Sequence, residues 1–398
     1  MLTDQSAAVV RTTLPAVGAA IEDITGLFYE KLFAAHPALL HDLFNRGNQA
    51  AGTQRQALAG SIAAFAGYLV DHPDDRPDAM LARIAHKHAS LGVRAEQYPV
   101  VHQHLFEAIA EVLGDAVTDE VAAAWDEVYW LMANALVAIE QRLYAERGVV
   151  DGDVWREWEV ASRAEETPDV ASFLLRPADG AAAPAFRAGQ YVSVQVELPD
   201  GARQIRQYSL TGAPAAAGRS IAVKRVDGGG AGPDGEVSNH LHRHVREGDR
   251  LRVSAPYGDL VLAVDEAPLL LVSAGIGCTP ILAMLEDLVA ARHAGPVTVV
   301  HADRSPGTHA SRAEHAALAA KLSEGAAHFW YEEGAPAGGN TGFADLTEVA
   351  VGAGTRAYLC GPLPFMRAMR GQLLGKGVAA ADLHYEVFGP DLWLAATA

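Results

Sequence analysis

The residues of this chain that could do chemistry fall into two groups. Toward the amino end stand His86 and His88 in IAHKHASL, Tyr29 in FYEKLF, Phe44 and Gln54 on either side of RGNQAAG, Tyr98 in EQYPVV and Glu140 in ALVAIEQRLY. His86 and His88 are two apart and cannot share a helix face. Leu81, Ile84, His88 and Leu91 fall on one stripe, so His88 points inward, while His86 falls beside Arg83 and Ser90. A lone inward histidine is a satisfied core residue more often than a ligand. Tyr29 reads equally as a core aromatic, Phe44 as packing, Gln54 as surface and Glu140 as an exposed turn of an amphipathic helix.

The second group begins with LLLVSAGIGCTP, residues 269–280. An apolar strand runs into Gly275-Ile276-Gly277-Cys278, and a helix follows with Thr279 and Pro280 suited to its cap and first position. Such a turn lets backbone approach a pyrophosphate, and the helix start offers free N–H groups and positive potential. The third glycine of the usual dinucleotide fingerprint is absent, but GxGxTP in this place is more specific than GxG alone. Upstream lies Arg206-Gln207-Tyr208-Ser209, a strand with Arg206 and Tyr208 on one face and Ser209 on the other.

The elements that must carry these residues change along the chain. Residues 1–147 read as an all-α unit, with apolar residues at three- and four-residue spacing (Ile24, Leu27, Phe28, Leu32; Val128, Leu131, Met132, Leu136, Ile139). Breakers are confined to joints at HPAL, NRGNQAAG and DHPDDRPD. Over 152–262, YVSVQVEL, RQYSL, SIAVKRV and RLRVSAP alternate between Gly- and Pro-rich turns, as in a small antiparallel β-barrel. From 263 to 398 the apolar runs LLLVSA, VTVVHAD, HFWYEE and AYLCG alternate with helical stretches at 280–293 and 309–323, a parallel α/β domain. The reading is therefore three domains, in the order α, β, α/β.

With 31 Lys and Arg against 49 Asp and Glu, the net charge is −18, divided evenly between residues 1–150 and the rest. That argues against nucleic acid or an anionic membrane as partner. Cys278 and Cys360 have no metal-ligand or CxxC spacing, so neither a disulfide framework nor a zinc site is expected from them. The amino end has no basic region ahead of an apolar stretch, and the uncharged run 267–285 is broken by Gly and Pro. The expectation is a cytoplasmic monomer with no membrane span.

RQYS followed by GxGxTP resembles the ferredoxin–NADP reductase family, whose barrel binds FAD and whose α/β domain binds a nicotinamide nucleotide. The resemblance implies that Arg206 neutralises the FAD pyrophosphate, Tyr208 packs on the flavin, Ser209 bonds near its reactive nitrogen and Gln207 lies among these contacts. Tyr191 fits a second flavin-contacting tyrosine, and Ser238 a cap on a helix meeting the flavin phosphates. Cys360-Gly361-Pro362 would lie near the nicotinamide, and Val387-Phe388-Gly389-Pro390 would close over the flavin. Asp303 disfavours a ribose phosphate while Arg304 and Ser305 beside it could welcome one, which leaves NADH against NADPH open.

At the helical end, FYEKLF, HPALLHDLFNRGNQ, QRQAL, IAHKHASL and EQYPVV look in their joint order like stretches of bacterial flavohaemoglobins, a globin fused to such a reductase. With YEVFGP near the carboxyl end, the resemblance covers essentially the whole chain. It implies His88 as proximal ligand of haem b, with Glu140 and Tyr98 as a hydrogen-bonded relay behind it. Tyr29 and Gln54 would line the distal pocket, Tyr29 bonding dioxygen. Phe44 would wedge against the porphyrin, Leu58 shape the distal side and Lys87 tune the haem potential. The chain departs from the family at Cys278, where Gln is frequent, in the longer Gly-rich insert 228–235, and in the extra DLWLAATA at its end.

The implied activity is a nitric oxide dioxygenase, in which NAD(P)H reduces FAD, FAD reduces haem, and nitric oxide and dioxygen become nitrate. The rivals are a flavin and haem reductase acting on peroxides or other acceptors, and an oxygen carrier or sensor. A sensor would need an output domain, and every part of the chain is already assigned.

Overall fold

The computed structural model describes residues 1–390 apart from 76, 151, 230–232, 264 and 338, so DLWLAATA and the middle of the Gly-rich insert lie outside the described residues. The chain forms two compact units. One holds Met1–Trp155, Glu197–Ile205 and the chain from Gly389, the other Arg156–Val196 and Arg206–Phe388.

The first unit is built from α1 (Asp4–Ala35), α2 (Pro37–Asp42), α3 (Arg46–Ala50), α4 (Thr53–Asp71), α5 (Asp78–Leu91), α6 (Tyr98–Leu113) and α7 (Asp119–Arg147). Thr3 and Thr118 begin the two longest helices by accepting the N–H of Ser6 and Val121, which satisfies donors that a helix start leaves free. Ile24, Phe28 and Leu32 on α1 and Val128, Leu136 and Ile139 on α7 are buried as expected, but of the α5 stripe only Leu81 is buried; Ile84, His88 and Leu91 are half-buried, and Ala85 and Ala89 complete the buried face. α1 packs on α4, α6 and α7, and α5 packs on α7. Two segments read as joints are short helices instead. Pro37 opens α2, since a proline costs nothing where the N–H has no partner, and the Asn45 side chain caps α3. Ser90, read as part of a polar face with His86, is fully buried and donates to the Lys87 carbonyl. Gly92 ends α5 with φ 77°, and a side chain there would also collide with the Gly152 carbonyl.

Next along the chain come β1 (Trp155–Thr167), β2 (Val170–Pro177), β3 (Tyr191–Glu197), β4 (Arg203–Ser209), β5 (Arg219–Lys224), the helix α8 (Glu236–His244) and β6 (Arg250–Ser254), most of whose residues belong to the second unit. The six strands form a sheet in the order β4-β3-β6-β1-β2-β5, and the antiparallel bridge Leu210–Ile221 joins its two ends. β1 and β2 escaped the sequence reading. β1 is dense in charge, WREWEVASRAEET, with exposed Arg and Glu hiding the buried Trp158 and Val160.

The chain continues through β7 (Leu269–Ala274), α9 (Cys278–Ala290), β8 (Val297–Asp303), α10 (Arg312–Lys321), β9 (Gly325–Tyr331), β10 (Asn340–Thr341), β11 (Arg356–Cys360), α11 (Leu363–Gly375) and β12 (Leu383–Glu386). Its sheet has the order β10-β9-β8-β7-β11-β12, parallel at each pair. Buried on both faces, β7 and β11 read as continuous apolar runs, as parallel strands do. β8, β9 and β10 lie to one side of β7, and β11 and β12 to the other. The carboxyl ends of β7 and β11 therefore flank a point where the winding reverses, the place where open α/β sheets bind ligands. No helix among the described residues is long and apolar enough to cross a membrane.

Candidate functional site

The inward histidine of α5 is held from behind. His88 Nδ1 lies 2.9 Å from Glu140 Oε1 and 3.1 Å from the Tyr98 hydroxyl, and Tyr98 donates to the same carboxylate oxygen at 2.7 Å. The phenol proton goes to the carboxylate, so Nδ1 must supply its own proton, and Nε2 keeps its lone pair. Glu140 is 2% exposed, against the reading of it as an outward turn. Burial, then the charge of Glu140, pushes the Tyr98 phenol up, so it stays a donor. The His88 side chain is 33% exposed and its stripe-mates Ile84 and Leu91 are half-buried, so open space reaches the ring. An anchored imidazole with a free lone pair beside open space is what a haem iron requires of its proximal residue. Two residues that the sequence reading passed over fasten this corner: Tyr129 donates to the Tyr98 carbonyl and Tyr144 to the Val93 carbonyl.

Tyr29, 4% exposed on α1, stands among Phe28, Phe33 and Phe44, with the Phe44 ring meeting it edge-on at 5.9 Å. Burial pushes its hydroxyl up to about 12, countered in part by the Gln54 and Gln49 side chains and by Arg55. Gln54 and Leu58, one turn apart on α4, are both half-buried. Gln49 was missed because its segment read as a joint. It is 8% exposed, and its Nε2 has no hydrogen-bond partner among the described residues. A phenol and two amides thus face one another inside an aromatic wall, a set of donors fit for a small polar ligand. Lys87 donates to the Gly389 carbonyl at 2.8 Å, an engagement that the sequence did not foretell.

On the barrel, Ser209 ends β4 with its Oγ buried and without a hydrogen-bond partner. An orphan hydroxyl costs about 1–3 kcal/mol and calls for a ligand, which fits a flavin nitrogen. Burial pushes the Tyr208 phenol up, with Arg206 partly opposing. The Gln207 amide donates one hydrogen bond to Ser193 Oγ at 3.1 Å, which anchors the side chain to the sheet and leaves its carbonyl and second N–H for other partners. Tyr191, 6% exposed, pairs its backbone with Tyr257 and has Gly258 against its ring. Ser238 does not cap a helix: α8 starts at Glu236 with Gly235 as cap, and Ser238 Oγ accepts from the Val226 N–H while donating to the Gly235 carbonyl. Val387 is half-buried, and Phe388 keeps 46% of its surface exposed, large for an aromatic and suited to covering a planar ligand.

At the end of β7, Gly275–Gly277 forms one tight turn that leads into α9. Gly275 has φ 53° with open space around it, and a Cβ on Gly277 would strike the Cys360 carbonyl. The turn is thereby pressed against Cys360 and Gly361 at the winding reversal. The cap of α9 is Gly277, not Thr279. Thr279 donates back to the Ile276 carbonyl at 2.9 Å, and Pro280 sits third in the helix, still where no N–H is needed. The Cys278 side chain lies in the apolar cluster with Leu271, Ile281 and Leu282, and burial pushes its thiol up to about 12. Burial also raises the Cys360 thiol well above its ordinary value, and both thiols are fully buried, the setting of a structural rather than a reactive cysteine. Asp303 ends β8 with Oδ1 accepting from Thr308 Oγ1 and the Arg304 N–H, while the Arg304 side chain is 62% exposed.

Comparison with known proteins gives the same order of parts. A Globin model matches residues 26–136, an Oxidoreductase FAD-binding domain model 157–262 and an Oxidoreductase NAD-binding domain model 271–371. The Flavohemoprotein of Chromobacterium violaceum is 42% identical over 402 residues, covering 98% of each chain. The flavohemoglobin of Malassezia yamatoensis, whose crystal structure has bound FAD and heme, is 37% identical with TM-score 0.89, covering 98% of this chain and 100% of that one. The FAD/NAD-binding domain of nitric oxide dioxygenase from Vibrio cholerae O1 biovar El Tor is 37% identical with TM-score 0.56, covering 59% of this chain and 99% of that one. A match of this identity along the full length, with globin, flavin and nucleotide parts in this order, places the chain in the flavohemoprotein family.

Proposed function

We propose that the protein is a nitric oxide dioxygenase, using haem over residues 1–147, FAD over 152–262 and NAD(P)H over 263–398. The observation that carries the reading is the His88–Glu140–Tyr98 relay, joined in one chain to the orphan Ser209 hydroxyl and the GIGCTP turn. When bound, haem supplies an iron at which dioxygen and nitric oxide combine to nitrate, and FAD takes one hydride and releases its two electrons singly.

The chain's own groups set the conditions for that chemistry. Nε2 of His88 would hold the iron, and Glu140, taking the Nδ1 proton in a hydrogen bond, gives the imidazole more anionic character and pushes electron density toward the metal. Tyr29 keeps its proton at any physiological pH and offers it to the negative charge that gathers on dioxygen. Gln54 and Gln49 orient that hydroxyl. Phe44 and Leu58 would exclude water from the haem face, and Lys87, next to His88 on α5, would bear on its potential. Ser209 would bond the flavin nitrogen, Tyr191 and Tyr208 pack on its ring and Arg206 neutralise its pyrophosphate. The backbone of Gly275–Thr279 would receive the dinucleotide phosphates, with Val387–Pro390 over the flavin.

The balance is two nitric oxide, two dioxygen and one NAD(P)H to two nitrate, NAD(P)+ and a proton. A nitric oxide electrode on haem- and FAD-loaded protein in aerobic buffer tests it. Loss of nitric oxide that needs both NADH and dioxygen, with nitrate as product, is expected. Nitric oxide that persists while NADH is oxidised would overturn the reading in favour of a reductase for peroxides or another acceptor.

A further inference from the structure

Three histidines that no motif marks meet inside the nucleotide domain. His301 lies on β8, His309 in the loop that follows, and His315 in the first turn of α10. They are 0%, 3% and 0% exposed, and one ring nitrogen from each lies within 4.8 Å of the other two. The His301 and His309 rings stack at 3.9 Å, with His315 edge-on to both.

Their hydrogen bonds leave nitrogen lone pairs turned toward one another. His301 Nδ1 meets Ser273 Oγ and His309 Nδ1 meets the Tyr331 hydroxyl, each at 2.9 Å. With those nitrogens donating, the Nε2 atoms of both rings carry lone pairs, an oxygen acceptor behind each as metal-bound imidazoles have. His315 Nδ1 donates to His309 Nε2 at 3.2 Å, a proton that a cation would displace, and that separation is close to the ~3.3 Å edge of a tetrahedron with zinc–nitrogen bonds. Among the described residues, His301 Nε2 is wholly buried with no hydrogen-bond partner, as is Asp303 Oδ2, 3.6 Å away. That gap is too long for a hydrogen bond and suits two donors around one cation. The other Asp303 oxygen is occupied by Thr308 and the Arg304 N–H.

Burial lowers the pKa of each of the three imidazoles, so all are neutral, the form that binds metal. His309 also borders a cavity of about 700 Å³ whose wall includes Glu166, Glu314 and Arg312. We propose that His301, His309 and His315, with Asp303 Oδ2 beside them, form a binding site for a divalent cation of the zinc class. Three imidazoles and one carboxylate make a borderline-soft donor set that favours zinc over magnesium or calcium.

The test uses the full-length holoprotein, stripped with a chelator, dialysed against zinc chloride and desalted. One zinc per haem iron by elemental analysis, a raised Tm, and imidazole scattering at the zinc absorption edge are expected. His309→Gln and His315→Gln should each weaken zinc binding about tenfold or more while FAD content and flavin reduction by NADH persist. Zinc bound equally by both variants, or none retained by the parent protein, would show an ordinary hydrogen-bonded histidine core. Should the variants lose FAD, the edge spectrum of the parent protein decides, because zinc without imidazole neighbours overturns the site by itself.

Discussion

At the scale of single residues, the groups that matter are those whose burial and bonding make sense only together. Tyr29→Phe removes a buried hydroxyl from an aromatic wall, a cost of about 1 kcal/mol in stability. Its functional effect is larger: nitric oxide turnover should fall about 100-fold, with faster dioxygen release and unchanged flavin reduction. Stopped-flow measurement of all three separates the phenol's role from damage to the reductase. Glu140→Gln keeps an acceptor for His88 Nδ1 but removes the charge. The iron–histidine stretch in resonance Raman should move to lower frequency, and turnover should drop about 10–100-fold. An unmoved stretch would deny the relay. Ser209→Ala removes a buried oxygen that has no protein partner, so the apoprotein should be as stable or more so, while NADH reduces the flavin more slowly. A variant with lower apoprotein stability and wild-type hydride transfer would contradict that placement.

At the scale of elements, the nucleotide turn depends on one close approach. In Gly277→Ala the new methyl group meets the Cys360 carbonyl, backbone that cannot yield as a side chain would. The turn must shift from β11, at a cost of about 1–3 kcal/mol, and KM for NADH should rise. Thermal melting and NADH titration of the flavin signal check this, with Gly371→Ala as a control, since nothing lies within 4 Å of a Cβ there. The helical unit shows the opposite case. Thr3, Asn45 and Thr118 each cap a helix by a bond three residues away, a signal local to the sequence, although the segment that Asn45 opens reads as a joint until its helix is seen.

At the scale of the whole molecule, charge acts on one substrate and not the others. The net charge of −18 repels an anionic dinucleotide and leaves nitric oxide and dioxygen untouched. Raising ionic strength from about 10 mM to about 150 mM shortens the screening length from roughly 30 Å to 8 Å, and kcat/KM for NADH should rise modestly. The rate of nitric oxide capture by prereduced protein should not change with salt. A fall in kcat/KM for NADH would show that local positive groups, Arg304 among them, outweigh the global field. Joining the reductase to the haem part in one chain also keeps the electron donor at high effective concentration, an effect of tethering rather than of any contact.

What the sequence determined by itself is what local spacing and residue type encode. The α, β, α/β order followed from periodicity, the strand–turn–helix at GIGCTP from its glycines, and the inward face of His88 from the stripe through Leu81 and Leu91. Three kinds of fact were decided only by tertiary structure. Glu140 looked like a surface acid because its partners, His88 and Tyr98, are 52 and 42 residues away. β1 hid its buried face beneath charged neighbours and needed β2 to define it. His301, His309 and His315 share no helical or strand spacing, and only the loop between β8 and α10 folds them onto one another. In each case the energy lies in removing polar groups from water together. Which groups meet is set by chain topology, which no window of neighbouring residues contains.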